Sequence, residues 1–86
     1  MPLYEVVFAR SARKELQALT QSVAERILKK VELLASNPRP SGSKKLRGHS
    51  NLWRIRVGEY RVVYSIDDNK VVVDVSVVRH RSEAYY

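Results

Sequence analysis

The 86-residue chain has no cysteine. Disulfides and thiolate metal sites are therefore excluded, and an intracellular, cytoplasmic setting is expected. Glycine is scarce, at three residues, and no glycine-rich phosphate loop can be built from them. Histidine is scarcer still: His49 and His80 lie far apart among scattered carboxylates, so no metal-ligand spacing arises and neither a metal nor a cofactor is expected. No apolar run approaches the roughly 18 residues of a membrane span, and no N-terminal run resembles a signal peptide. Acids are also few. Nine face sixteen lysines and arginines, a formal charge of +7 and a pI near 10.1. That balance points to a polyanionic partner, most simply nucleic acid.

What is present belongs to one small globular domain spanning residues 1–86, with 44% hydrophobic and 29% charged residues. The positive charge is concentrated. Positions 44–61 hold six bases (Lys44, Lys45, Arg47, Arg54, Arg56, Arg61) against the single acid Glu59, a net of +5 out of +7. Within this stretch Leu52–Val57 and Tyr60–Tyr64 alternate on either side of Gly58–Glu59, which predicts a β-hairpin with a tight turn. Alternation sets Trp53, Ile55 and Val57 on one face and Leu52, Arg54 and Arg56 on the other.

Ahead of the hairpin, Tyr4–Ala9 reads as an edge strand. Ser11 is a candidate N-cap for a helix with Ala12, Leu16 and Leu19 inward, and Thr20 for a second. The second helix carries a one-face stripe of Val23, Ala24, Ile27, Leu28, Val31, Leu34 and Ala35, which is core, and stops at Asn37-Pro38. Beyond the hairpin, Asp67–Lys70 reads as a turn and Val71–Val78 as a covered strand with Val71, Val73, Val75 and Val77 inward. The order β-α-α-β-β-β implies an α+β domain, a two-helix hairpin on one face of a curved, mainly antiparallel four-stranded sheet. The other face should present Arg54, Arg56, Arg61 and the tail Arg79-His80-Arg81 as a concave basic surface suited to a single nucleic-acid strand.

Arginines gathered on one strand face can converge on a phosphate, since their forked donors match its oxygens and their charge survives partial desolvation. The competing reading is a solvated face paired to Glu59, Asp74 or Glu83, and too few acids lie nearby for that. Lys44, Lys45 and Arg47 lead into the same surface as candidate RNA contacts. His80, the one side chain near the cluster with an ordinary pKa close to neutral, is a candidate RNA contact and proton acceptor. Tyr60 and Tyr64 read as cross-strand packing, and Tyr85 as a frayed terminus or a functional phenol.

The ordered segments KLRG, LWRIRVGEYRVVYSI and RHRSEAY resemble the RelE/ParE superfamily of bacterial toxins, and the RelE branch in particular, over nearly the whole chain. The resemblance implies a metal-independent, ribosome-dependent endoribonuclease that cuts mRNA in the ribosomal A site. A cognate antitoxin, bound in a hetero-oligomer, would hold it inactive. It further implies attack of a 2′-hydroxyl on the adjacent phosphate, with Arg54 and Arg56 as the alternating basic pair and Arg61 on the scissile phosphate. Arg79, or Arg81 as in some relatives, is the late arginine, and Tyr85 a proton carrier or base-stacking partner. The best-known members have lysine where Arg54 and Arg56 stand. Arginine neutralises phosphate but is a poor base. Two alternatives stay open, a ParE-like toxin acting on DNA gyrase and a non-catalytic relic that only binds RNA or its antitoxin.

Overall fold

The structure, a computed structural model, describes residues 3–48 and 51–83. Strand β1 (Glu5–Phe8) leads into helices α1 (Arg10–Gln17) and α2 (Gln21–Glu32), and a 3-10 turn (Leu33–Ala35) extends the second. Strands β2 (Lys44–Lys45), β3 (Leu52–Val57), β4 (Tyr60–Asp67) and β5 (Val72–His80) follow. The sheet order is β1-β5-β4-β3-β2, with β1 parallel to β5 and every other pairing antiparallel. The two-residue β2 makes five strands where four were expected. It forms because the Lys44–Arg47 segment folds back on β3, and the Leu46 N–H donates to the Leu52 carbonyl at 2.8 Å.

Both helices lie on one face, as their apolar stripes require. Ala12, Ile27, Val31 and Leu34 bury against Ile55, Val57, Val62, Tyr64, Val73 and Val75. Thr20 stands at the α2 N-cap without a side-chain cap bond. Ser11 falls inside α1 behind an Ala9 cap, and its hydroxyl donates to the Ser76 carbonyl at 3.3 Å. Ser11 ties the helix to the sheet instead of starting it. Gly58 has a φ of +60° at the first central position of the hairpin turn, the position that a type II′ turn reserves for glycine.

Strand β5 departs from simple alternation. Val63 pairs with Val77 but Tyr64 pairs with Val75, so Ser76 is an extra residue in a β-bulge. Val73 and Val75 point inward, and after the bulge Val78 does so in place of Val77. The expected inward position of Val77 is thus corrected by one residue. Val71 lies before the strand, in the turn, with a φ of +60°.

Tyr64 is 0% exposed, and its hydroxyl donates to the Pro38 carbonyl at 2.8 Å, holding the segment after α2 onto the sheet. Burial pushes the Tyr64 phenol up to about 12. Replacing Tyr64 with phenylalanine leaves the Pro38 carbonyl without this donor and is expected to lower unfolding stability by about 1–3 kcal/mol. Chemical denaturation of parent and variant measures it.

Candidate active site

Strand register places the arginines. Arg56 stands directly opposite Arg61 on β4, and Arg61 directly opposite Arg79 on β5, a row across three adjacent strands. Side chains so paired start from Cβ atoms roughly 4.5–5.5 Å apart. Arg54 lies two residues from Arg56 on the same face, opposite Val63, and Lys44 on β2 is level with it. The sheet therefore gathers Lys44, Arg54, Arg56, Arg61 and Arg79 on the side away from the helices. The floor beneath them is closed, for Val63 is only 1% exposed on that side.

Burial and like charge act together on this face. The Nε atoms of Arg54 and Arg61 are buried. Burial, followed by the charges of Arg61 and Arg56, holds the Arg54 guanidinium below the usual arginine range. The protonated form is thus less favoured in the folded state than in the unfolded chain. The penalty is fully present at neutral pH, and would fall only as pH rises through the lowered pKa.

Among the described residues, most of the acids near the row are engaged elsewhere or out of reach. The Glu59 carboxylate lies 3.2 Å from His80 Nε2. Asp68 pairs with Arg39 at 2.9 Å and accepts from the Tyr4 hydroxyl at 2.6 Å. Asp67 accepts the Asn69 and Lys70 N–H groups of its own turn. Asp74 is level with Ser65, four residues along β4 from Arg61 and so roughly 13 Å away. Glu15 is the exception. From α1 it reaches Arg79 Nε at 2.7 Å while accepting the Val78 N–H at 3.0 Å.

The remaining candidates divide. His80 pairs with Tyr60, on the helix side of β5; its ring meets the Tyr60 ring edge-on at 5.3 Å, and Nδ1 lies 2.8 Å from the Ser82 hydroxyl. It does not share a face with the arginine row. Lys45 pairs with Trp53 and so also takes the helix side, while Arg47 is exposed in a turn beyond β2. Arg81 lies past β5, exposed, with its backbone N–H on the Glu59 carbonyl at 2.7 Å. Register thus puts Arg79, not Arg81, beside Arg61. Tyr85 and His49 lie outside the described residues. Glu15 was missed in the sequence because its partner is 64 positions away. The available hint was a lone acid on a helix that otherwise carries Arg10, Arg13 and Lys14.

A family model described as the ParE toxin of type II toxin–antitoxin systems matches residues 6–85, nearly the whole of this arrangement. The chain belongs to the RelE/ParE toxin family. The mRNA interferase toxin RelE of Escherichia coli is 38% identical over 86 residues, covering 95% of this chain and 90% of that protein. The archaeal RelE–RelB complex from Pyrococcus horikoshii superposes with a TM-score of 0.82 at 30% identity, covering 95% of this chain and 99% of that one. The intact E. coli RelBE toxin–antitoxin complex gives a TM-score of 0.80 at 35% identity, over 90% and 95% of the two chains. As in these relatives, two helices back a mixed sheet, and no helix among the described residues is long and apolar enough to cross a membrane.

A face assembled against its own repulsion should relax when one charge is removed. Arg56→Met removes the charge directly opposite Arg61 and is expected to raise unfolding stability, by something on the order of 0.5 kcal/mol. Salt screens like charges, so added salt should stabilise the parent more than the variant. Thermal melts of both proteins at low and high ionic strength measure the two effects.

Proposed function

We propose that this protein is the cytoplasmic toxin of a type II toxin–antitoxin system, and that it is an mRNA interferase cleaving message on the ribosome. The observation that carries this reading is the row Arg56–Arg61–Arg79, with Arg54 beside it, on one face of a stiff sheet. A phosphodiester passing to a pentacoordinate phosphorane gains negative charge on its equatorial oxygens, and fixed guanidinium donors stabilise that gain more than the ground state.

The reaction needs little else. The 2′-oxygen forms a bond to the adjacent phosphorus as the bond from phosphorus to the 5′-oxygen breaks. The 2′-hydroxyl proton passes to a base, and a proton is delivered to the leaving 5′-oxygen. The products are a 2′,3′-cyclic phosphate and a 5′-hydroxyl. In our reading Arg61 holds the scissile phosphate, Arg54 and Arg56 neutralise it from β3, and Arg79 completes the grip from β5. Even with its proton held less tightly, Arg54 remains a cation and is no general base. His80 faces the other way. Proton transfer is left to Tyr85, the role that the family resemblance gives it; a phenol brought beside guanidinium groups would be favoured to ionise.

The antitoxin in this reading is an acidic, amphipathic segment that folds on binding. Supporting it is a groove of about 290 Å3 between the end of α2 and β3. Leu33, Pro40 and Ile55 give it apolar walls, and Lys30 and Arg56 flank it with charge; Leu33 is 59% exposed.

A second reading, inhibition of DNA gyrase, draws on the matched family model, which is described by the ParE toxin. The arginine row and the relatives named as mRNA interferases favour RNA. Mapping of cleavage sites on mRNA with and without programmed ribosomes tests the first reading. Plasmid supercoiling by gyrase tests the second. We expect ribosome-dependent cuts and unaffected supercoiling, with Arg61→Ala slowing cleavage roughly 100- to 1000-fold without unfolding the protein. Intact message with antitoxin-free, folded toxin would overturn the nuclease assignment.

A further inference from the structure

Strand β1 ends at Phe8, level with Val75, so the outer edge of β5 beyond that point has no strand beside it. Helix α1 takes over this edge. Ser11 donates to the Ser76 carbonyl at the bulge, and Glu15 accepts the Val78 N–H two residues later. The same Glu15 carboxylate presents its other oxygen to Arg79 Nε. One side chain thus bridges the backbone of the bulged strand and a guanidinium of the arginine row.

We infer that Glu15 is a positioning residue for RNA cleavage, holding Arg79 beside Arg61; the inference rests on the function proposed above. Two features separate this role from simple helix attachment. An uncharged acceptor would also take the Val78 N–H, though in a weaker bond, so attachment alone does not call for an anion. Nor does the ion pair add much to stability, because Arg79 and Glu15 side chains are 41% and 24% exposed and water screens them. What the anion does supply is direction. Arginine has five N–H donors in a rigid fork, so engaging Nε fixes the plane of the group and with it the direction in which the terminal nitrogens point. It also supplies a local counter-charge, which lets Arg79 stand opposite Arg61 despite their repulsion.

The test is a double-mutant cycle read by single-turnover mRNA cleavage on saturating programmed ribosomes. Glu15→Gln keeps an acceptor for the Val78 N–H and removes the charge. In the parent background it is expected to slow the saturated rate about tenfold or more, with ribosome affinity and melting temperature little changed. In an Arg79→Ala background the same change should do almost nothing. Parent-like cleavage by Glu15→Gln would overturn the inference, and so would equal losses in both backgrounds. A second measurement needs no variant: the Arg79 Nε–H of the folded toxin should exchange with solvent more slowly than that of the exposed Arg47. Equal exchange would also overturn it. Failure of the function itself looks different, for then the parent would not cleave or Arg61→Ala would cleave as the parent does.

Discussion

Like charges held in register are the constraint to which the rest of this fold answers. Arg56, Arg61 and Arg79 face one another across three strands, and directly opposed like charges in a sheet are destabilising. A domain of this size is stable by only about 5–15 kcal/mol, so such a row persists only on a rigid support. The helices provide that support from the other side. Their apolar stripes press on Ile55, Val62, Tyr64 and Val75, residues that alternate with or adjoin the arginine positions on the same strands. Core and site are therefore two faces of one set of hydrogen-bonded strands, and loosening the first would let the second spread apart.

The bulge at Ser76 decides which residues belong to the site. Were β5 to alternate without interruption from Val73 and Val75, Arg79 would point toward the helices and His80 toward the arginines. The extra residue reverses both. It brings Arg79 level with Arg61 and turns His80 to Tyr60 and Glu59. Glu59 is thereby engaged away from the row it could otherwise have neutralised. One inserted residue thus settles two questions of charge placement.

This explains what could be read from the amino-acid order and what could not. The hairpin, its turn glycine and the shared face of Arg54, Arg56 and Arg61 follow from a period of two and a two-residue connection, both local. The helices follow from spacing that is equally local. Nothing within VVVDVSVV announces a bulge, so Val77 was expected inward, and Arg79, His80 and Arg81 were expected together on the open face, where of the two strand residues only Arg79 stands. Strand β2 escaped because two lysines in a loop carry no strand signal until β3 is beside them. Glu15 escaped because its partnership joins α1 to the last strand.

The arginines at positions 54 and 56 restrict how this face can work. A lysine there could act both as counter-charge and, once its pKa was lowered, as base; an arginine can act only as counter-charge. Even Arg54, disfavoured by burial and by two neighbouring cations, stays protonated in the physiological range. In the proposed reading the sheet supplies electrostatic stabilisation, and the proton goes to a group outside its strands. Such a division makes the site sensitive to where its substrate is ordered. An RNA strand held so that its 2′-hydroxyl, phosphorus and leaving oxygen are in line stands much nearer the transition state than a free strand lying on the same arginines. Dependence on a ribosome that fixes the message is what a face of this composition would be expected to require.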